Sequence, residues 1–207
     1  GSEDFAGKGG GIVHTDSAFF RNNQTGVLYH NYAGSNIGNF NLTTFETTAE
    51  LVDSSTPDDL MKLISVENIK INGCTFRNTR DSTVAYSSRG KGITAIDASF
   101  YVDHQCISET TPCTAYQETV FDSLYYGLYA YNISSALAPS IKNSLFTQNF
   151  RGAYLSGITW AVVDSCSFET NADFNPTGGY GLYLDNCTGY TIEENNYWGE
   201  QKLQLNI

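Results

Sequence analysis

The hydrophobic residues of this chain recur in a pattern seventeen residues long that aligns without gaps at three places. The three segments are 60–76, 152–168 and 181–197. Within each segment the apolar columns follow one another in steps of 2, 3, 3, 2, 3 and 2 residues, and one such column contains Leu63, Leu155 and Leu184. A step of two is the spacing of a β-strand, whereas an amphipathic helix alternates steps of three and four. The pattern therefore predicts short strands separated by corners.

An aromatic residue closes each copy of the pattern, and it marks further copies once loops are allowed between them. The closing residues are Phe20, Phe45, Phe76, Phe121, Phe146, Phe168 and Tyr197. They follow one another at intervals of 22 to 45 residues, which is the range of repeats that stack into solenoids. We therefore predict an all-β solenoid of about seven coils, in which neighbouring coils bury each other's apolar columns.

Four insertions lengthen individual coils, and each is rich in the polar residues, glycine or proline that loops contain. They are 46–59, 77–91, roughly 99–116, and 169–180. Three of the four begin directly after a closing aromatic residue, so they should leave from the same corner of every coil. We expect these three loops to lie side by side along one edge of the solenoid, where a repeat protein would carry its function.

Three segments resemble the small-residue and asparagine-rich coils of the pectin-lyase-like superfamily. They are Gly-Leu-Tyr-Ala-Tyr-Asn-Ile at 127–133, Ile-Lys-Asn-Ser-Leu-Phe at 141–146 and Val-Asp-Ser-Cys-Ser-Phe at 163–168. The resemblance is one of pattern and extends over nearly the whole chain. It implies a single-domain, right-handed parallel β-helix over residues 1–207, similar to secreted β-helix domains of Bacteroidetes-type bacteria.

The first copy of the pattern, which ends at Phe20, matches only the second half of the others. Because the ends of a solenoid expose unpaired strands, they need a cap or further coils. We expect the chain to be a fragment of a longer secreted protein, or to be capped by residues 1–11 and 199–207.

Charge narrows the classes of partner. The formal net charge is −11, with 11 Lys and Arg against 22 Asp and Glu. Nucleic-acid binding needs a basic stripe to neutralise phosphates, which this composition does not supply, and anionic membranes are disfavoured for the same reason. No run of eighteen apolar residues exists, so we expect no membrane insertion.

The five cysteines divide into two groups. Cys74, Cys166 and Cys187 fall in the apolar columns and are expected in the core. Cys106 and Cys113 lie in the largest insertion, where we expect a disulfide, with free surface thiols as the alternative. A disulfide would indicate an oxidising compartment, and thus an extracellular or cell-surface location.

Tyrosines occupy positions that should point outward from consecutive coils. Tyr129, Tyr154 and Tyr183 each lie two residues after the glycine that begins their copy of the repeat. Tyr131 and Asp185 lie two residues further on. Such a ladder can present a platform to sugar rings, with the hydroxyl groups forming hydrogen bonds. The alternative is that the rings only stabilise neighbouring strands by packing across them.

Basic residues concentrate in the insertion 77–91, which contains Arg77, Arg80 and Arg89 together with Lys91. Arginine matches the geometry of carboxylate and sulfate groups, so this loop is a candidate site for an acidic polysaccharide. The alternative is internal pairing with nearby acidic residues, namely Asp53, Asp58, Asp59 and Asp81.

No catalytic arrangement is recognisable in the sequence. Enzymes of the resembling superfamily use a basic residue with calcium-held uronate, or paired aspartates that flank the scissile bond. The outward carboxylates form no obvious adjacent pair. We expect no cofactor and no metal site, and the calcium candidate is Asp53 with Asp58 and Asp59, although their spacing is not that of a regular calcium loop.

These observations favour an extracellular or cell-surface module that binds a polysaccharide or cell-surface glycan, or acts as an adhesive or structural segment, without catalysis. Its partners would be that glycan and other domains of the same polypeptide. A polysaccharide lyase or glycoside hydrolase and a purely structural stalk stay open as alternatives. We expect a groove along the solenoid with the tyrosines as its floor, edged by Arg77, Arg80 and Arg89 at one end and by Asp173 at the other.

Overall fold

The computed structural model describes residues 13–32, 38–51, 57–170, 178–198 and 205–206. These residues form short strands and one 3-10 helix, Tyr86–Ser88. The strands are β1 (Val13–Asp16), β2 (Phe19–Arg21), β3 (Thr25–Tyr32), β4 (Gly38–Asn41), β5 (Thr44–Thr47), β6 (Asp59–Val66), β7 (Ile69–Asn72), β8 (Thr75–Asn78), β9 (Lys91–Ile96), β10 (Phe100–Asp103), β11 (Gln105–Cys106), β12 (Tyr116–Gln117), β13 (Thr119–Asp122), β14 (Tyr126–Tyr131), β15 (Ser140–Lys142), β16 (Ser144–Asn149), β17 (Arg151–Ser156), β18 (Val162–Asp164), β19 (Ser167–Thr170), β20 (Tyr180–Asp185), β21 (Thr191–Glu193), β22 (Asn196–Trp198) and β23 (Leu205–Asn206).

Three parallel sheets of seven strands run along the molecule. Sheet 1 contains β3, β6, β9, β14, β17, β20 and β23; sheet 2 contains β1, β4, β7, β10, β15, β18 and β21; sheet 3 contains β2, β5, β8, β13, β16, β19 and β22. The chain visits sheet 1, sheet 2 and sheet 3 in turn, and then returns to sheet 1 one coil further on. The prediction of an all-β parallel β-helix with about seven coils is thereby confirmed.

The closing aromatic residues form a continuous stack inside the helix. From Phe20 to Tyr197, consecutive ring centroids lie 4.6 to 5.3 Å apart and the rings are nearly parallel. The strand register produces this stack, since it places Phe45 beside Phe76 and Phe76 beside Phe121. Aromatic pairs of this kind contribute about 0.5–1.5 kcal/mol beyond the burial of their area, so the stack binds each coil to the next.

The other predicted columns also face inward. Leu63, Leu155 and Leu184 are almost fully buried, and so are Cys74 and Cys166. Burial raises the pKa of both thiols to about 12, which keeps them protonated as core residues. The apolar side chains of the last coil are less buried. Cys187 and its neighbours pack against the core but stay partly exposed.

Asn195 is the residue that departs from its apolar column, and its contacts explain why it is tolerated. Its side-chain oxygen accepts a hydrogen bond from the backbone N–H of Cys166 at 2.8 Å, and its side-chain nitrogen donates to the carbonyl of Val163 at 2.8 Å. The amide thus satisfies two backbone groups of the preceding coil instead of filling space in the core.

A single residue with left-handed backbone turns the chain between sheet 2 and sheet 3 in most coils. The residues at this corner are Ser17, Leu42, Gly73, Asn143, Ser165 and Glu194, with φ between 43° and 59°. Gly73 has a second requirement, because an added Cβ would lie 2.6 Å from the Cβ of Gln105. This corner accounts for one of the three-residue steps in the repeat pattern.

The insertion predicted at 99–116 is displaced in the structure. Residues 100–103 form strand β10 of sheet 2, where Phe100 and Val102 are buried, and the insertion follows at the corner before β13. It contains the antiparallel pair β11 and β12, and Cys106 and Cys113 form a disulfide with Cα atoms 6.1 Å apart. The sequence boundary was wrong because a buried strand was assigned to the loop.

The other three insertions all connect sheet 3 to sheet 1, as their position after the closing aromatic residue predicts. They follow β5, β8 and β19. Residues 52–56 and 171–177 of these loops lie outside the described residues, as do Asp53, Asp173, residues 1–11 and most of 199–207. In the described part of the chain, no helix has the length and apolar character needed to cross a membrane.

Candidate functional site

The outward tyrosines of sheet 1 form a stacked ladder. The register places Tyr129 beside Tyr154 and Tyr154 beside Tyr183. The ring centroids are 5.1 and 5.5 Å apart, with interplanar angles of 12° and 24°. Tyr131 meets Tyr129 edge-on at 5.5 Å. The structure therefore brings together the four tyrosines that the sequence singled out.

The orientation of the rings changes what the ladder offers to a ligand. Because the rings stack on one another along the solenoid axis, both faces of Tyr154 are occupied by Tyr129 and Tyr183. A sugar stacks on an open ring face. The ladder instead presents ring edges and hydroxyl groups, so the platform expected from the sequence is not available at Tyr154.

Asp185 joins the ladder through hydrogen bonds. The Tyr154 hydroxyl donates to Asp185 Oδ2 at 2.8 Å, and Ser156 Oγ donates to the same oxygen at 3.2 Å. Burial and the neighbouring carboxylate raise the pKa of Tyr154 to about 12, so its hydroxyl stays protonated and acts as a donor. Asp185 Oδ1 accepts no hydrogen bond from the described residues, which leaves it available to hydroxyl groups of a ligand.

Arg151 lies at the start of β17 and is surrounded by aromatic rings, a feature that the sequence analysis missed. Its guanidinium carbon is 5.0 Å from the ring centroid of Tyr126 and 5.4 Å from that of Tyr180, and the rings of Tyr125 and Phe150 are at similar distances. It donates to the Tyr126 hydroxyl and to the carbonyl of Gly178. The available signal was the column directly before the repeat glycines, which reads Tyr126, Arg151, Tyr180. Cation–π contacts of this kind hold three coils together.

The N-terminal half of the same face is ionic. Asp59 is 1% exposed and lies 3.2 Å from the ammonium groups of both Lys62 and Lys91. Thr94 Oγ1 also donates to Asp59, and Asp58 lies near the same two lysines. The calcium candidates Asp58 and Asp59 are thus paired with lysines. Among the described residues, no group of three acidic, histidine or cysteine side chains is placed to hold a metal ion.

Two of the three candidate arginines are taken up by contacts within the protein. Arg77 lies on sheet 3, where its guanidinium contacts Glu46 at 2.6 Å. Arg89 is 3% exposed, its Nη2 donates to the carbonyl of Asp81 at 2.9 Å, and its guanidinium lies over the ring of Tyr86. Both arginines are thus held by contacts within the protein, but their partners are Glu46 and backbone carbonyls and not the acidic side chains that the sequence suggested.

Arg80 is half-buried in the same loop as Arg89. Burial and the neighbouring Arg89 guanidinium lower its pKa. The contacts of Arg77 and Arg89 lie on sheet 3 and within their own loop, whereas the tyrosine ladder lies on sheet 1, so the structure does not unite these two arginines and the ladder in one site.

Comparison with known proteins assigns no family. The sequence matches no family model, and a search of the curated proteins found no match. The order and register of the strands establish the fold.

Proposed function

We propose that the protein is a glycan-binding module whose binding face is the outer face of sheet 1. The observation that carries the proposal is the hydrogen-bonded group of Tyr154, Ser156 and Asp185 beside the tyrosine ladder. Ligand sites combine apolar rings with a few fixed polar groups, and this surface has both. A carboxylate oxygen accepts from sugar hydroxyls, while tyrosine hydroxyls both donate and accept.

The same group favours binding over catalysis. Glycoside hydrolysis uses two carboxyl groups on either side of the scissile bond. In strands β14, β17 and β20, which carry the ladder, Asp185 is the one carboxylate. A tyrosine base would need a lowered pKa, whereas the pKa of Tyr154 is raised to about 12. These observations support a module without catalytic activity.

A linear polysaccharide suits this face better than a compact metabolite. The ladder repeats the same hydroxyl-bearing ring at intervals of 5.1 and 5.5 Å. A solenoid face offers repeated contacts along an extended ligand. The proposed ligand is therefore a polysaccharide or a cell-surface glycan with several consecutive units in contact.

The proposal includes an extracellular or cell-surface location and a place in the pectin-lyase-like superfamily. The Cys106–Cys113 disulfide supports an oxidising compartment. The three-sheet coil supports the superfamily resemblance. Other domains of the same polypeptide are proposed as further partners.

A glycan array combined with a product assay tests this function. We expect the wild-type protein to bind at least one polysaccharide and to release no product. Tyr154→Phe removes one donor and should weaken binding, whereas Tyr101→Ala removes a tyrosine that is 46% exposed on sheet 2 and should leave binding unchanged. Release of reducing ends or unsaturated uronates would establish a hydrolase or lyase instead. Failure to bind any glycan of the array would favour a structural stalk.

A further inference from the structure

Trp160 is held in an unfavourable backbone conformation at the corner between sheet 1 and sheet 2. Its φ is +68°, a region that bulky residues rarely adopt, and its side chain is 69% exposed. The adjacent coil fixes this geometry, because the Trp160 N–H donates to the carbonyl of Thr188 at 2.9 Å and Thr159 pairs with Thr188. A strained residue that neither fills the core nor satisfies a buried group raises the question of function.

The indole of Trp160 packs against Gly189 of the next coil. A Cβ at Gly189 would lie 2.7, 2.8 and 3.0 Å from three atoms of the Trp160 ring. The ring therefore rests on the backbone of Gly189, and the absence of a side chain there makes the contact possible. Because most of the indole is exposed, its opposite face is open to solvent. Trp160 thus offers the open ring face that Tyr154 lacks.

Trp160 and Gly189 lie close in the chain to the proposed binding face. Ser156 ends strand β17 four residues before Trp160, and Asp185 ends strand β20 four residues before Gly189. Four residues of chain span at most about 14 Å. An oligosaccharide of a few units that contacts Asp185 can therefore reach the indole.

The charge at this end of the face discriminates between ligands. Within the described residues, no cation lies within salt-bridge distance of Asp185, whose partners there are the hydroxyl groups of Tyr154 and Ser156. The protein as a whole carries a formal charge of −11. A uronate or sulfate group beside Asp185 would be repelled, whereas the hydroxyl groups of an uncharged sugar can donate to its free oxygen.

We propose that Trp160 and Asp185 form a subsite for an uncharged oligosaccharide, in which one sugar unit stacks on the indole and the hydroxyl groups of a nearby unit donate to the carboxylate. The inference rests on the proposed glycan-binding function and names the class of ligand. At Asp185 the polysaccharide leaves the line of the tyrosine ladder and continues toward the corner between sheet 1 and sheet 2 at Trp160.

Tryptophan fluorescence provides a direct test, since the chain has 2 tryptophans, Trp160 and Trp198. Trp198→Phe leaves Trp160 as the sole reporter, and Trp160→Ala leaves Trp198, which lies on sheet 3. Each variant is titrated with the uncharged polysaccharides xylan, laminarin and galactomannan, and with the charged polygalacturonate and alginate. Circular dichroism and thermal melting verify that both variants are folded.

With at least one uncharged polysaccharide, we expect the Trp160 emission to shift to shorter wavelength and to become protected from acrylamide. Trp198 emission should not change, affinity should be insensitive to salt, and Trp160→Ala should lower affinity at least tenfold. Binding that leaves Trp160 emission unchanged, or survives Trp160→Ala, overturns the subsite but not the glycan-binding function. Binding confined to the two charged polysaccharides overturns the uncharged class. Absence of binding to all five polysaccharides overturns this inference. Absence of binding to every glycan of the array overturns the proposed function as well.

Discussion

Removal of one ring from the internal aromatic stack should cost more in the middle of the stack than at its end. Phe121 is fully buried, and its ring centroid lies 5.0 Å from that of Phe76 and 4.6 Å from that of Phe146. Phe→Ala substitutions in protein cores cost about 3–5 kcal/mol. Since Phe121→Ala also removes two stacked pairs, we expect a loss of about 4 kcal/mol in the free energy of unfolding.

Two further variants calibrate this value. Tyr197 is only partly buried and stacks on one neighbour, Phe168, at 5.3 Å, so Tyr197→Ala should cost about 1–2 kcal/mol. Phe19 is the neighbour of the first stacked ring but is 66% exposed, so Phe19→Ala should change stability by less than about 0.5 kcal/mol.

Urea unfolding followed by circular dichroism measures the three differences. An unchanged slope of free energy against urea shows that the coils still unfold together, which repeat proteins do not always do. In a chain of this size, Phe121→Ala should lower Tm by roughly 8–16 °C. If Phe121→Ala costs no more than Tyr197→Ala, the stack does not couple the coils and the account of the core is wrong.

Three more predictions concern the outer faces of the coils and the insertion that contains the Cys106–Cys113 disulfide. Glu46 is 4% exposed and lies between Arg21 and Arg77, so Glu46→Gln should lower the free energy of unfolding by about 1–2 kcal/mol. The loss should be smaller than for a fully buried ion pair, because both arginines are half exposed. Urea unfolding measures this difference, and no change would mean that solvent screens the ion pairs. The pKa of Tyr154 is raised to about 12 from an ordinary value near 10, so the stability contributed by its hydroxyl group is complete below about pH 10 and is lost as pH rises toward 12. The free energy of unfolding should therefore fall less steeply across that range in Tyr154→Phe than in the wild-type protein. Equal slopes for the two proteins would refute the raised pKa of Tyr154. Replacing Cys106 and Cys113 with serine opens a short loop outside the coils, so proteolysis between them should accelerate while the main melting transition stays in place. A large drop in Tm would show that this insertion supports the coils.

The repeat pattern was sufficient to predict the fold because inward columns depend only on spacing along the chain. Leu63, Leu155 and Leu184 occupy one column in the sequence and are all buried in the structure. The corner insertions were predicted for the same reason. The boundary at 99–116 failed where Phe100 and Val102 alternate as a strand inside a polar stretch.

The chemistry of the outer face was less predictable because it depends on contacts between coils. Whether Tyr154 shows a face or an edge is decided by rings 5.1 and 5.5 Å away in neighbouring coils. Arg89 was a ligand candidate by composition, yet its guanidinium binds backbone carbonyls of its own loop, which leave no mark in the sequence. The position of the Trp160 ring likewise depends on a residue of the next coil, Gly189, whose backbone the ring contacts.

The affinities of two matched aspartate variants test whether a glycan binds the outer face of sheet 1. Asp185→Asn changes the carboxylate on the outer face of sheet 1, whereas Asp164→Asn changes one on sheet 2 that pairs with Lys142 at 3.0 Å. Hydrogen bonds to a charged group contribute about 1.5–3 kcal/mol, which corresponds to at least about tenfold in affinity. Isothermal titration calorimetry with a polysaccharide that the array identifies should show that loss for Asp185→Asn and none for Asp164→Asn. Equal affinities for the two variants and the wild-type protein would contradict the claim that the glycan binds on sheet 1.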